Sequence, residues 1–164
     1  MTTIAARSVH PALVGLPVAF EAVTVAALVG FAVGGDPVWF RLGLVASLGT
    51  VATAIIAAIP GAIDLIEALP AGSAARRHGL RHALLESVAL GLYAIVAAWL
   101  WSAWRSATGR DHIDASGPLV LAALGLVATA VAGVLGWRMR ARSGGAGGAP
   151  GSAARRPGGH DAHL

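Results

Sequence analysis

The sequence predicts an all-α integral membrane protein, a four-helix up-down bundle followed by a disordered C-terminal tail. Three observations carry this. Hydrophobic residues make up 56% of the 164 residues and charged residues 12%, with a mean hydropathy of +0.72. A soluble domain averages about 45–50% apolar and about 25% charged, so this chain has too few charges to cover a water-facing surface. Four apolar runs each reach the ~20 residues that a bilayer-crossing helix needs. The runs are not alternating in polarity, as barrel strands would be, and helices satisfy their own backbone groups in lipid.

The four expected helices span about 11–34, 42–66, 82–104 and 117–138, in one domain covering 1–142. The first run, from Leu13 to Val33 and broken only by Glu21, exceeds the ~7–15-residue apolar core of a signal peptide. No clear small-residue cleavage site precedes Asp36, so the run reads as a retained helix. Gly35-Asp36-Pro37 is a turn signal, with Asp36 before Pro37 suited to start the second helix. Pro70-Ala71-Gly72-Ser73 is expected to open a polar loop that includes Arg76, Arg77, His78 and Arg81. Thr108-Gly109-Arg110-Asp111 opens the third connection. Connections this short place successive helices side by side and antiparallel. Residues 143–164 are rich in Gly, Ala and Arg without apolar periodicity and read as a disordered tail, in which His160 and His163 are bystanders.

Charge orients the bundle. The net charge is +4, and all 12 basic residues are arginine. They lie between apolar runs, so they read as topology signals and contacts to lipid headgroups, chiefly Arg76, Arg77 and Arg81, and not as a nucleic-acid face. Arg7, Arg76, Arg77, Arg81, Arg138, Arg140 and Arg142 share one side. Arg41, Arg105 and Arg110 occupy the other, offset by Asp36, Asp111 and Asp114. The positive-inside tendency then puts both termini and the middle connection in the cytoplasm, across a bacterial inner membrane. Trp39, Trp99, Trp101 and Trp104 fall at the outer interface and Trp137 at the inner one. The absence of cysteine excludes disulfides, thiolate metal ligands, a cysteine nucleophile and c-type haem attachment.

The informative residues are the few polar ones inside the apolar runs. His10, Val14, Pro17, Glu21, Thr24 and Leu28 share a face of the first helix. Thr50, Thr53, Ala57, Pro60 and Asp64 do so in the second, and His78, His82, Glu86, Ala89, Tyr93 and Val96 in the third. Polar groups facing lipid are costly, so these faces are expected to turn inward. Glu21 lies about 15 Å deep by helical rise, level with Thr53, Tyr93 and Thr129. One or more of these hydroxyls is expected to hydrogen-bond it. A bare carboxylate at the bilayer centre costs ~2.5–3.5 kcal/mol or more, so Glu21 is expected to carry a proton or to meet a cation or water. Pro17 and Pro60 remove helical hydrogen bonds and are expected to bend their helices.

The other ionisable groups admit two readings each. His10 and His82 either start their helices at the headgroup level or hold a cofactor. Asp64 and Glu67 sit unfavourably near a helix C-terminus, which favours a partner such as Arg76, Arg77 or a metal. Gly125, Thr129, Gly133 and Gly136 in the fourth helix, and Ala54, Ala57, Ala58 and Gly61 in the second, give small-residue faces on which helices can approach closely.

The string His10-Pro11-x-x-x-x-Leu16-Pro17-Val18-Ala19, then Pro60-Gly61-Ala62-Ile63-Asp64, then Arg76-Arg77-His78-Gly79-Leu80-Arg81-His82, resembles the bacterial membrane family called domain of unknown function 2231. The closing Gly133-Val134-Leu135-Gly136-Trp137-Arg138 resembles the family's Gly-Trp-x-Gly-Gly segment. The resemblance covers nearly all of residues 8–140. Leu16 stands where the family has an aromatic residue, and the final Gly-Gly is missing. The resemblance implies architecture and no settled activity, with a redox setting hinted at because related domains can be joined to Rieske-type modules.

Three functions remain open from the residues. The first is a non-enzymatic membrane subunit or scaffold, docking a membrane partner or a second copy. The second is a redox module binding b-type haem through His10 and His82, or a divalent metal shared by His78 and His82 with Asp64 or Glu86. The third is a proton or ion path centred on Glu21. No Walker loop, nucleophile elbow, His-Glu-x-x-His or dinucleotide fingerprint is present.

Overall fold

A computed structural model describes residues 3–67, 70, 72–106 and 114–145, with side chains described for most of 15–137. It contains four α-helices, α1 (Thr3–Gly34), α2 (Pro37–Glu67), α3 (Ala74–Ser106) and α4 (Ser116–Gly145). All four are long and apolar enough to cross a membrane.

Each helix outruns its apolar segment. α1 starts well before residue 11, α2 starts at Pro37 and not near 42, and α4 continues beyond 138. Apolar length marks what lipid covers, whereas a helix ends where its backbone finds a cap. Asp36 caps α2, its Oδ1 accepting the Val38 amide at 2.8 Å while its carbonyl takes the Trp39 amide at 3.0 Å. Pro37 then fills the first helical position, where a missing N–H costs nothing. Gly35, at φ 68°, closes α1 by donating its amide to the Phe31 carbonyl at 2.8 Å, a left-handed stop that suits glycine.

The polar loop expected after Pro70 is corrected most. Ser73 caps α3, its Oγ accepting the Arg76 amide at 3.1 Å, so Arg76, Arg77, His78 and Arg81 are helical. Arginine is a strong helix former, and a capped, Ala- and Arg-rich segment continues the helix out of the lipid. The tail expected from 143 is likewise corrected at its start, because α4 runs through Gly145, and 146–164 lie outside the described residues. Pro17 and Pro60 do not end α1 or α2.

The helices form a ring in which α1 touches α2 and α4, and α3 touches α2 and α4. The pairs α1/α3 and α2/α4 are therefore diagonal. The core cluster of Leu28, Phe40, Leu44, Tyr93, Val96, Leu100, Ala115 and Ala122 fills the half of the bundle nearer the α1–α2 and α3–α4 connections. That end is closed by aromatics. Phe31 meets Phe40 edge-on at 5.4 Å, Phe40 stacks with Trp104 at 6.4 Å, and the Arg41 guanidinium lies 5.0 Å from the Trp104 ring centre. The half nearer the termini is looser. None of the described side chains of α2 from Val51 onward, or of α3 before Ala89, is buried.

Candidate functional site

The inward stripe of α1 brings Glu21 to the middle of the bundle, 3% exposed. Thr129 of α4 donates to Glu21 Oε1 at 3.0 Å. Glu21 Oε2 is buried and has no hydrogen-bond partner among the described residues. Tyr93 of α3, fully buried, spans the diagonal. Its hydroxyl is 3.0 Å from the Ala122 carbonyl and 3.3 Å from the Glu21 backbone carbonyl, so it contacts the α1 backbone and not the carboxyl. The tyrosine ring fits because α4 carries Gly125 opposite. A Cβ there would stand 2.7 Å from Tyr93 Cε2.

That contact fixes the α3–α4 register. With Tyr93 beside Gly125, antiparallel counting brings Glu86 level with Ala132, three residues or ~4.5 Å past Thr129. Glu86 lies on the same face of α3 as Tyr93 and His82, two turns from the first and one from the second. His82, one turn farther toward the termini end, donates Nδ1–H to the Ala132 carbonyl at 3.0 Å. A carbonyl only accepts, so this bond requires the proton on Nδ1 and leaves Nε2 as the ring nitrogen turned away from it. Glu21, Thr129, Glu86 and His82 thus run as a line of polar groups from mid-bundle to the looser end.

Other sequence-selected residues stand apart. Thr53 is half-buried and returns its hydroxyl to Gly49 (2.7 Å) and Thr50 (3.3 Å) in its own helix, so it does not reach Glu21. His78 is exposed and bonds the Ala74 carbonyl at 2.8 Å. Among the described residues no group of three His, Asp or Glu side chains could hold a metal ion. The side chains of His10 and Asp64 lie outside the described residues. Arg77 and Arg81 are exposed and Arg76 half-buried at the start of α3, and Arg77 Nη1 donates to the Gly72 carbonyl at 2.7 Å.

Two features escaped the sequence. Ser47 is outside the polar faces read from spacing, yet it is fully buried and bonds the Leu44 carbonyl at 2.8 Å. Its spacing of three from Thr50 was the available signal. The Ala132 carbonyl that orients His82 had none, because any residue supplies one.

Fold and site together define a small polytopic membrane protein with a polar line inside a four-helix bundle. The chain belongs to the family described as Predicted membrane protein (DUF2231), whose model matches residues 6–147. No curated protein and no solved structure matches it.

Proposed function

We propose that this chain is a small non-enzymatic membrane subunit that holds an exchangeable proton on Glu21. The carrying observation is the carboxyl itself, buried between helices with Oε1 bonded to Thr129 and Oε2 unpartnered. An ionisable group at this depth is costly and marks function more often than packing. Because Oε1 accepts from Thr129, Oε2 is the oxygen that carries and releases the proton. The subunit reading draws on glycines such as Gly91 and Gly133, exposed and with no described atom within 4 Å of a Cβ position, where a partner helix or a second copy can approach closely. The bacterial inner membrane, with both termini cytoplasmic, is the placement that the arginine distribution favours, and Arg76, Arg77 and Arg81 then meet lipid headgroups.

The test is labelling with a hydrophobic carbodiimide, which reacts with protonated carboxyls in apolar surroundings. Mass spectrometry of the wild type should locate the adduct on Glu21 and show it fading as pH rises. An adduct-free Glu21 at every pH, in a protein that stays folded, would refute the reading.

His82 supports a second reading, a b-type haem or metal held with His10. Its Nδ1–H is bound to a backbone carbonyl and its Nε2 is left for a ligand, which is how metal-bound imidazoles are oriented. The α1/α3 diagonal suits two imidazoles approaching from opposite sides. Purified protein should then show a Soret band or stoichiometric metal that His82→Ala removes. Protein free of both after expression with haem and metals supplied would end this reading.

A further inference from the structure

We infer that Glu21 exchanges its proton with one side of the membrane only, the side of the chain termini, by way of Glu86. This rests on the proton-holding reading of Glu21 and adds the direction of access to it.

Three observations carry the direction. First, helical side chains lean toward the helix N-terminus. The bond to Thr129, which α4 places beyond Ala122 and Gly125 on the way to the termini, confirms that lean for Glu21. The carboxyl therefore faces the looser half of the bundle. Second, α3 carries titratable side chains on the face it shares with Tyr93: Glu86 lies two turns and His82 about three turns toward the termini, while Tyr93 has its hydroxyl committed to backbone carbonyls. No described side chain of α2 facing this region is titratable, and α4 contributes Thr129. Third, the opposite half is closed. Leu28, Phe40, Leu44, Val96 and Leu100 fill it. The three buried hydroxyls beside them each bond their own helix: Thr24 to Phe20 at 2.8 Å, Ser47 to Leu44 at 2.8 Å and Thr50 to Ala46 at 3.1 Å. Their protons are taken, so they do not extend the line outward.

The step is a proton transfer and balances as such. The O–H of Glu21 Oε2 breaks, the proton passes to the Glu86 carboxylate directly or across a water, and from there to bulk water on the termini side. Glu21 is left as the carboxylate, with Thr129 as donor to Oε1. Uptake is the reverse. Nothing crosses the apolar half, so the module stores and returns a proton and does not conduct one.

The experiment uses the full chain in proteoliposomes of known orientation, with impermeant buffers on each side. The probe is the carboxylic C=O infrared band, assigned to Glu21 by its loss in Glu21→Gln. A pH step on the termini side should change the band, and the same step on the other side should leave it unchanged. Glu86→Gln should slow the response about a hundredfold, the lower end of what a positioned proton relay contributes, while near-native helicity by circular dichroism shows that it folds. Leu100→Ser, which places a hydroxyl in the closed half, is the second handle and should begin to admit a response from the other side. Equal responses from both sides, a response confined to the other side, or proton flux through the wild type that Glu21→Gln abolishes would each overturn one-sided access while sparing the proton-holding reading. A Glu21 band that ignores pH applied to both sides together would sink that reading, and this inference with it.

Discussion

Replacing Thr129 with valine removes one hydroxyl and keeps the side-chain shape. Thr129 is 6% exposed and supplies the hydrogen bond recorded to the Glu21 carboxyl, at 3.0 Å, while Oε2 already lacks a partner. The variant therefore leaves both oxygens of a buried carboxyl without a donor. Leaving a buried polar group unsatisfied costs about 1–3 kcal/mol. Interhelical hydrogen bonds in membrane proteins lie lower, at ~0.6 kcal/mol on average and ~1.7 at most. The added methyl returns up to ~0.8 kcal/mol where it finds apolar contact, but its neighbour here is the carboxyl. A loss of about 1 kcal/mol is expected. In a Glu21→Leu background the same change should be neutral or stabilising, because the methyl then meets an apolar side chain. The coupling is thus about 1 kcal/mol. A double-mutant cycle measured by reversible unfolding in mixed micelles or by steric trapping in bilayers reads it directly. A Thr129→Val cost that is the same with and without Glu21, within the ~0.3–0.5 kcal/mol expected of independent sites, would show that the two side chains do not hold one another.

Gly125→Ala should destabilise by about 1–3 kcal/mol from overpacking, reduced by the ~1 kcal/mol that alanine gains over glycine in a helix, because its Cβ would stand 2.7 Å from the fully buried Tyr93 ring. Gly91→Ala, with nothing within 4 Å, should be neutral to stabilising in the same unfolding assay, and the reverse order would refute the packing argument. The chain has no cysteine, so Ala74→Cys and Ser106→Cys give clean topology probes. An impermeant maleimide should label position 106 in intact cells and position 74 only after lysis, and the opposite pattern would invert the proposed orientation. Asp114 is held below the usual carboxylate range, first by its side-chain hydrogen bond with Ser116 and then by the Ser116 amide. Its contribution to the start of α4 is therefore complete above the ordinary carboxylate range and is lost as pH falls through the lowered value. Ser116→Ala should raise the Asp114 midpoint in a carboxyl carbon NMR titration, and an unmoved midpoint would count against that bond.

The bundle was legible because its signal is physical and redundant. Lipid demands long apolar helices, and the short Asp36 and Ser73 connections make neighbours antiparallel. The helix ends were less legible, since hydropathy reports the lipid boundary whereas Ser73 capping carries α3 beyond it. Within the site, spacing of three and four placed Glu21, Thr24 and Leu28 on one buried face. Periodicity gives a face and an approximate depth, however, not a bonding partner. Thr53, Tyr93 and Thr129 looked equivalent by depth, yet Thr53 satisfies itself within its own helix and Tyr93 reaches a backbone carbonyl. Helix register, set by contacts such as Gly125 against Tyr93, decides which hydroxyl meets the carboxyl.

The most direct test of the account is carbon NMR of the Glu21 carboxyl in lipid bilayers, assigned by comparison with Glu21→Gln. Two chemical shifts that exchange population as the bulk pH changes, with the bundle intact, are what a proton-holding carboxyl produces. A single shift that never moves while the protein remains folded would mean that Glu21 is a fixed packing element, and the functional account would fall.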